Sequence, residues 1–247
     1  MRNIILIFYS AYVWCITALF FTLHFIIAGI TYPFSSNGKV LHMRLTKPFI
    51  TIGFWLCGFK LSVSGTENIP KNSYFMVVSN HQSLVDILVF MKALPSYFSF
   101  FAKQELLKVP LLGWDIQIQD HFVVDRSSAR TASRQLDTIR KRVEKGRSVL
   151  IFPEGTRSET GKIAPFKRGA FMLAAQTGVN ILPAYIEGTR HILKKKSLLF
   201  SPTRIHVHFL PSIPVKKGES KKEFSMISDQ VMTQTFMAIH DYQKQGI

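Results

Sequence analysis

The chain has 247 residues, 47% of them hydrophobic and 21 of them Phe, which excludes a disordered protein and suits one ordinary domain plus an attachment. Its 31 Lys and Arg against 15 Asp and Glu give a formal charge of +16, which implies an anionic partner: nucleic acid, an anionic membrane surface or a phosphorylated substrate. Two cysteines, Cys15 and Cys57, lie in apolar segments; they form neither a disulfide framework nor a zinc spacing, and they fit a reducing location.

The first element is the apolar run from Ile4 to Ile30, which carries no formal charge and no Pro. As a helix it would be about 40 Å long against a hydrocarbon core of about 30 Å, so tilt or an interfacial end absorbs the excess. Tyr9, Tyr12 and Trp14 suit a headgroup region, and His24 reads as a neutral, packed side chain. A secretory leader would have an apolar region of only about 7–15 residues and a small-residue cleavage site, so the segment is expected to be retained. Arg2 precedes the run, whereas Lys39, Arg44, Lys47 and Lys60 follow it, and the positive-inside tendency then places the bulk of the chain on the cytoplasmic side of a membrane. Phe49 to Phe59 is a second apolar stretch, too short to span: either a buried helix or one piece of an embedded helical pair. Residues 1–60 are therefore expected to form a membrane-embedded helical segment, and 61–247 an α/β domain.

From residue 61 onward, short β-rich runs alternate with helical ones. The pattern predicts strands at Leu61–Ser64, Tyr74–Ser79, Tyr97–Ala102, Phe122–Asp125, Val149–Phe152, Ile181–Ile186 and Ile205–Leu210. Helices are predicted at Leu84–Ala93, Ala129–Lys145, Gly169–Thr177 and Lys222–Tyr242. This is an α/β fold, a largely parallel central sheet flanked by helices, and such sheets hold ligands beyond the carboxyl ends of their strands.

The apolar strand ending in Ser79 runs into Asn80-His81-Gln82-Ser83-Leu84-Val85-Asp86, which opens a helix. Five residues on a regular helix turn through about 500°, which leaves His81 and Asp86 about 140° apart around the axis. They can meet only if His81 precedes the helix and Asp86 lies in its first turn. Asp86 would then hold one imidazole nitrogen while the other takes a proton from a hydroxyl. The plainer alternative is that Asn80 or Ser83 caps the helix and His81 is incidental. There is no G-x-S-x-G elbow, so direct attack by a substrate hydroxyl is simpler than a protein nucleophile.

Phe152-Pro153-Glu154-Gly155-Thr156-Arg157-Ser158 also follows a predicted strand. Gly155 permits a close backbone approach, Thr156 offers a hydroxyl, and Arg157 offers a planar fork for phosphate oxygens. Lys103 and Arg126 also lie near strand ends, so three cations could share one rim of the sheet beside His81. Taken singly, each is equally an ordinary solvated cation.

These blocks together resemble the 1-acyl-sn-glycerol-3-phosphate acyltransferases of the glycerolipid acyltransferase family. NHQSLVD resembles the family's first block, FVVDR its second, FPEGTRS its third and ILPAYIEGT its fourth, in order between Leu61 and Thr189. PFKRGAF, from Pro165 to Phe171, resembles a linking segment. The resemblance implies that His81 is a general base oriented by Asp86, and that Arg126, Glu154, Gly155, Thr156 and Arg157 shape the acceptor site. It implies that Lys103 reaches the acceptor phosphate. It further implies lysophosphatidic acid as acceptor and acyl-CoA or acyl-carrier protein as donor; the charge balance adds the expectation of an anionic membrane as support, and neither cofactor nor metal is expected. Thr156, where glycerol-3-phosphate acyltransferases typically carry a second Gly, points to a lyso-lipid acceptor. An alternative keeps the chemistry on another lysophospholipid or a lyso-aminolipid.

The rival of another class is a basic membrane- or nucleic-acid-binding protein. Eight Lys or Arg lie between Arg126 and Arg147, and Lys194-Lys195-Lys196 forms a second cluster. A basic helix of this kind suits DNA or a flat anionic bilayer. The long apolar N-terminus argues against nucleic acid as the partner.

Overall fold

The computed structural model describes residues 2–31, 38–71, 73–124 and 129–245. In chain order the elements are α1 (Arg2–Thr31), α2 (Gly38–Leu56), β1 (Lys60–Ser64), β2 (Met76–Ser79), α3 (Val85–Ala93), β3 (Phe98–Lys103), α4 (Leu112–Ile118) and β4 (Phe122–Val124). They continue as α5 (Ala129–Glu144), β5 (Ser148–Ile151), α6 (Gly169–Thr177), β6 (Ile181–Glu187), α7 (Thr189–Ile192), β7 (Arg204–Phe209) and α8 (Lys221–Gln245). Each predicted strand and helix is found; Gly169–Thr177 has the predicted bounds, the last helix runs three residues further, to Gln245, and the other ends shift by at most two. Asp125 lies outside the described residues.

Seven strands form one sheet in the order β1-β7-β6-β2-β5-β3-β4, parallel at every ladder except β6 with β7. The two-residue period of the strands splits the core in two. Val77 and Leu150 face one side, with Val85, Val89 and Phe90 of α3. Met76, Val78, Val149 and Ile151 face the other, with Ile139 and Val143 of α5, Phe171 and Leu173 of α6, and Val231 and Ile239 of α8. The strands at the centre are buried on both faces and therefore read as unbroken apolar runs rather than alternating ones.

The first face carries α1 and α2, which form an antiparallel pair. The Tyr9 hydroxyl donates to the Cys57 carbonyl, Phe20 meets Phe49 edge-on at 5.8 Å, and the His24 ring lies 4.3 Å from that of His42. Phe49–Phe59 thus supplies the second half of a longer helix and the turn that follows it. Val13, Ile50, Phe54 and Cys57 share the core with Val89 and Phe209, so the pair is packed onto the sheet layer. Near its start α1 is pinned further: Ser10 Oγ accepts the Phe200 N–H at 2.8 Å, and the Trp14 indole donates to the Leu198 carbonyl at 3.0 Å. Beyond Val13, His24 and Ala28, which are buried, most of the remaining side chains of α1 are exposed or half-buried. It is the one helix, among the described residues, that is long and apolar enough to cross a membrane, with a mean hydropathy of 2.2 over its most apolar window. Trp55 (77% exposed), Trp114 and Leu198 extend that apolar surface, which is the kind that marks a membrane contact. Cys15 and Cys57 are both free thiols.

Two short helices, α4 and α7, had no sequence expectation. At seven and four residues they are too short for a helical period to register. In the basic run, Arg142 and Arg147 both engage Asp120, at 2.7 and 2.9 Å, so part of that charge is neutralised within the protein.

Candidate active site

β2 ends at Ser79 and α3 begins at Val85, so residues 80–84 form the turn at the carboxyl rim of the sheet. Asp86 is the second helical residue, and its carboxylate reaches back over that turn. A single oxygen, Oδ2, accepts the Gln82 N–H at 2.7 Å, the Ser83 N–H at 2.9 Å and His81 Nδ1 at 2.8 Å. An anion here also faces the positive end of the α3 dipole. Asn80 does not cap the helix, and Ser83 Oγ accepts the N–H of its first residue, Val85, only at a long 3.4 Å. The N-cap is Leu84, without a side-chain cap bond. The Asn80 amide instead exchanges two 2.8 Å bonds with the backbone of Ile186, and Ser83 Oγ donates to the Leu193 carbonyl at 2.9 Å. Asp86 Oδ2 gathers the N–H groups of the turn that precedes the helix, and the same oxygen meets His81 Nδ1.

A carboxylate only accepts, so a hydrogen sits on Nδ1 of His81, and in the neutral ring the lone pair is then on Nε2. Nε2 makes no hydrogen bond among the described residues. The His81 side chain is 16% exposed and that of Asp86 fully buried. Beneath the imidazole lies the Phe152 ring, nearly parallel at 12° with centroids 4.1 Å apart. His81 is thereby fixed in tautomer, in-plane orientation and tilt.

β5 lies beside β2 with Val78 opposite Ile151, so the loop after β5 arrives next to the turn after β2. Glu154 links the two. Its Oε1 accepts the His81 N–H and its Oε2 the Ala164 N–H, both at 2.8 Å. The Ser158 N–H donates to the His81 carbonyl at 2.8 Å. Both sides of the His81 residue are thus clamped by the Glu154–Ser158 loop. Glu154 is buried, and burial pushes its carboxyl above the usual carboxylate range despite the two backbone N–H groups. Gly155 takes a positive φ of 71°, and a Cβ there would lie 2.8 Å from Lys167 Nζ. Thr156 is exposed and Arg157 half-buried on the same loop. Lys103 ends β3, exposed at the same carboxyl rim. It stands two strands from β2, about 10 Å away at the usual strand spacing. Arg126 lies outside the described residues.

Two contributors had no assigned role in the sequence, Phe152 as the ring beneath His81 and Lys167 as the cation over Gly155, and Asn80, read there as a cap candidate, is instead the tie to β6. Only Asn80 carried a signal, by its place at a strand end. The other two depend on strand order, which spacing does not encode. Beside the site, a cleft of about 650 Å³ is lined by Gln82, Glu187, Arg190, Arg204 and His206 among others; it does not include His81, which sits at its margin. At the site itself, Asp86 Oδ2 and both Glu154 oxygens are occupied by N–H donors. The His/Asp grouping with metal-ligand spacing, among the described residues, lies elsewhere, at His24, His42 and Asp115.

Comparison with known proteins identifies the family. The family profile described as Acyltransferase matches residues 60–187, from β1 to the end of β6. A 1-acyl-sn-glycerol-3-phosphate acyltransferase of Borreliella burgdorferi is 34% identical over 195 residues, 78% of each chain. The alpha form from Ovis aries is 31% identical over 194 residues, 78% of this chain and 67% of that one. The crystal structure of the 1-acyl-sn-glycerophosphate (LPA) acyltransferase PlsC from Thermotoga maritima superposes with a TM-score of 0.80 at 28% identity, covering 95% of this chain and 96% of that one. That superposition takes in the apolar helices as well as the sheet, while the profile matches the span that holds His81, Asp86 and Glu154: this chain belongs to the acyltransferase family.

Proposed function

We propose that the protein transfers an acyl group from a thioester to the sn-2 hydroxyl of 1-acyl-glycerol-3-phosphate, forming phosphatidic acid. The observation that carries this is the unpaired Nε2 of His81, presented on an imidazole locked by Asp86, Phe152 and the Glu154 clamp. The hydroxyl gives its proton to Nε2 as its oxygen attacks the thioester carbonyl. The tetrahedral intermediate collapses with loss of thiolate, and the imidazolium returns the proton to sulfur. Asp86 stabilises the imidazolium in between, and general-base assistance of this kind contributes about 10²–10⁴ in rate.

Arg157, Thr156 and Lys103 line the rim where the acceptor phosphate docks, with Arg126 as a further contributor. Glu154 and Gly155 build that rim from below. Acyl-CoA or acyl-carrier protein supplies the thioester, and no cofactor takes part. Residues 1–60 embed in an anionic membrane, with residues 61–247 on its cytoplasmic side.

The test uses purified full-length protein in mixed micelles with acyl-CoA. Free thiol should appear only with lysophosphatidic acid, matched mole for mole by phosphatidic acid in mass spectrometry. Thiol release that ignores the acceptor, or that follows another lyso-lipid more than tenfold faster, overturns this reading.

A further inference from the structure

A second His–Asp arrangement, which shares no residue with the first, sits where α1 and α2 meet α4. His24 Nε2 lies 2.8 Å from His42 Nε2, and His42 Nε2 lies 2.7 Å from Asp115 Oδ1. All three residues are buried, and the three atoms fall within 4.8 Å of one another. Thr46 Oγ1 stands 3.3 Å from His24 Nε2, and the Gln119 amide donates to Asp115 Oδ1 at 2.9 Å.

Protons alone serve this trio poorly. A ring nitrogen holds one hydrogen or one lone pair in its plane. If His42 Nε2 carries the hydrogen, that one hydrogen must answer both the Asp115 oxygen and the His24 nitrogen. If it carries a lone pair, it faces a carboxylate oxygen at 2.7 Å. If His24 and His42 both carry theirs on Nε2, two N–H groups oppose each other. Each assignment leaves a short contact between like groups, or shares one hydrogen, in a site where an unmatched polar group is costly. A cation at the centre accepts a lone pair from all three. The hydrogens then sit on the two Nδ1 atoms, which have no partner among the described residues, so a cation relieves the short contacts between like groups but leaves the cost of these two N–H groups.

We propose that His24, His42 and Asp115 bind one divalent transition cation of the zinc class, which fastens the α1–α2 pair to α4 of the sheet layer. Two imidazoles and one carboxylate are a recurrent three-ligand zinc set that leaves a fourth position open. The Gln119 amide holds the carboxylate in place, as outer hydrogen bonds commonly do for ligands. Opening the donors from 2.7–2.8 Å to the spacing around such an ion needs shifts of a few tenths of an ångström. The residues lie 18 and 73 positions apart in sequence, so no ligand spacing announces them, and the sequence expectation of no metal is the one this proposal replaces.

The test uses tag-free, full-length protein in a non-ionic detergent, stripped with chelator and titrated with Co²⁺ and then Zn²⁺. One Co²⁺ per chain should bind with the visible absorption of a low-coordinate nitrogen and oxygen site, and Zn²⁺ should displace it. Asp115→Asn should weaken Co²⁺ binding by at least about 100-fold, since even the outer partners of ligands are worth 10–100-fold. X-ray absorption at the zinc edge of the wild-type protein should show two imidazoles, a readout that stands if the variant fails to fold. No stoichiometric uptake by the wild type, Asp115→Asn binding within threefold of it, or a zinc shell without two imidazoles would overturn the proposal.

Discussion

Among the described residues, two buried or largely buried His–Asp pairs have nearly equal length, His81–Asp86 at 2.8 Å and His42–Asp115 at 2.7 Å, in unlike settings. In the first, the carboxylate oxygen also gathers two backbone N–H groups of a strand-to-helix turn, and the imidazole is left with a free, partly exposed nitrogen. In the second, the His side chain is 1% exposed, and the ring atom that meets Asp115 meets a second histidine as well. A short His–Asp contact is therefore no sign of catalysis in itself. What separates the pairs is whether a nitrogen remains to face a substrate, and whether backbone fixes the carboxylate.

The sharpest way to break this contrast is to remove the free nitrogen. His81→Ala should lower the acyl-transfer rate constant by about 10³-fold, within the range for a lost general base, measured as thiol release at saturating acceptor. A rate within tenfold of wild type would erase the distinction between the pairs. Next comes the orienting group. Asp86→Asn places an amide where Nδ1–H needs an acceptor, and the rate should fall by about 10²-fold. Arg157→Ala addresses the rim and not the base. It should raise the apparent KM for lysophosphatidic acid by about tenfold, the order of one charge-assisted hydrogen bond, while the rate at saturation changes little.

The smallest expected effect concerns Glu154. Its carboxyl is raised above the ordinary value of 4.5, so the folded chain holds that proton more tightly than the unfolded one. Its contribution to stability is fullest below that ordinary value and declines as the pH rises through the raised one. Glu154→Gln should remove this slope and cost about 1–2 kcal/mol at low pH, because an amide NH₂ cannot accept both backbone N–H groups. Denaturant titrations of both proteins at several pH values would check it; parallel pH profiles would count against the clamp.

How far the sequence reached differs between these regions. The strand-to-helix junction at 80–86 was legible, since a five-residue separation admits contact only with His81 ahead of the helix. The engagement of the cap candidates Asn80 and Ser83 was not, because their partners Ile186 and Leu193 are brought alongside by β6 and the segment after α7. Glu154 was placed among acceptor-shaping residues by resemblance. That its oxygens hold the backbone of residues 81 and 164 follows from β5 lying next to β2, and strand order is a non-local property. His24 reads in sequence as one neutral imidazole in an apolar helix. Its neighbours come from 18 and 91 residues away and through an α4 too short to be foreseen.

The seating of the apolar helix pair on the same face of the sheet as α3 has a kinetic consequence. Under the proposed function, acceptor and product both dissolve in the bilayer that the exposed rings of Trp55 and Trp114 address. The enzyme then meets its acceptor by lateral diffusion in two dimensions. The concentration that governs turnover is the mole fraction of lyso-lipid in the surface, and diluting that surface with inert lipid should slow the reaction even when the bulk amount of acceptor is unchanged.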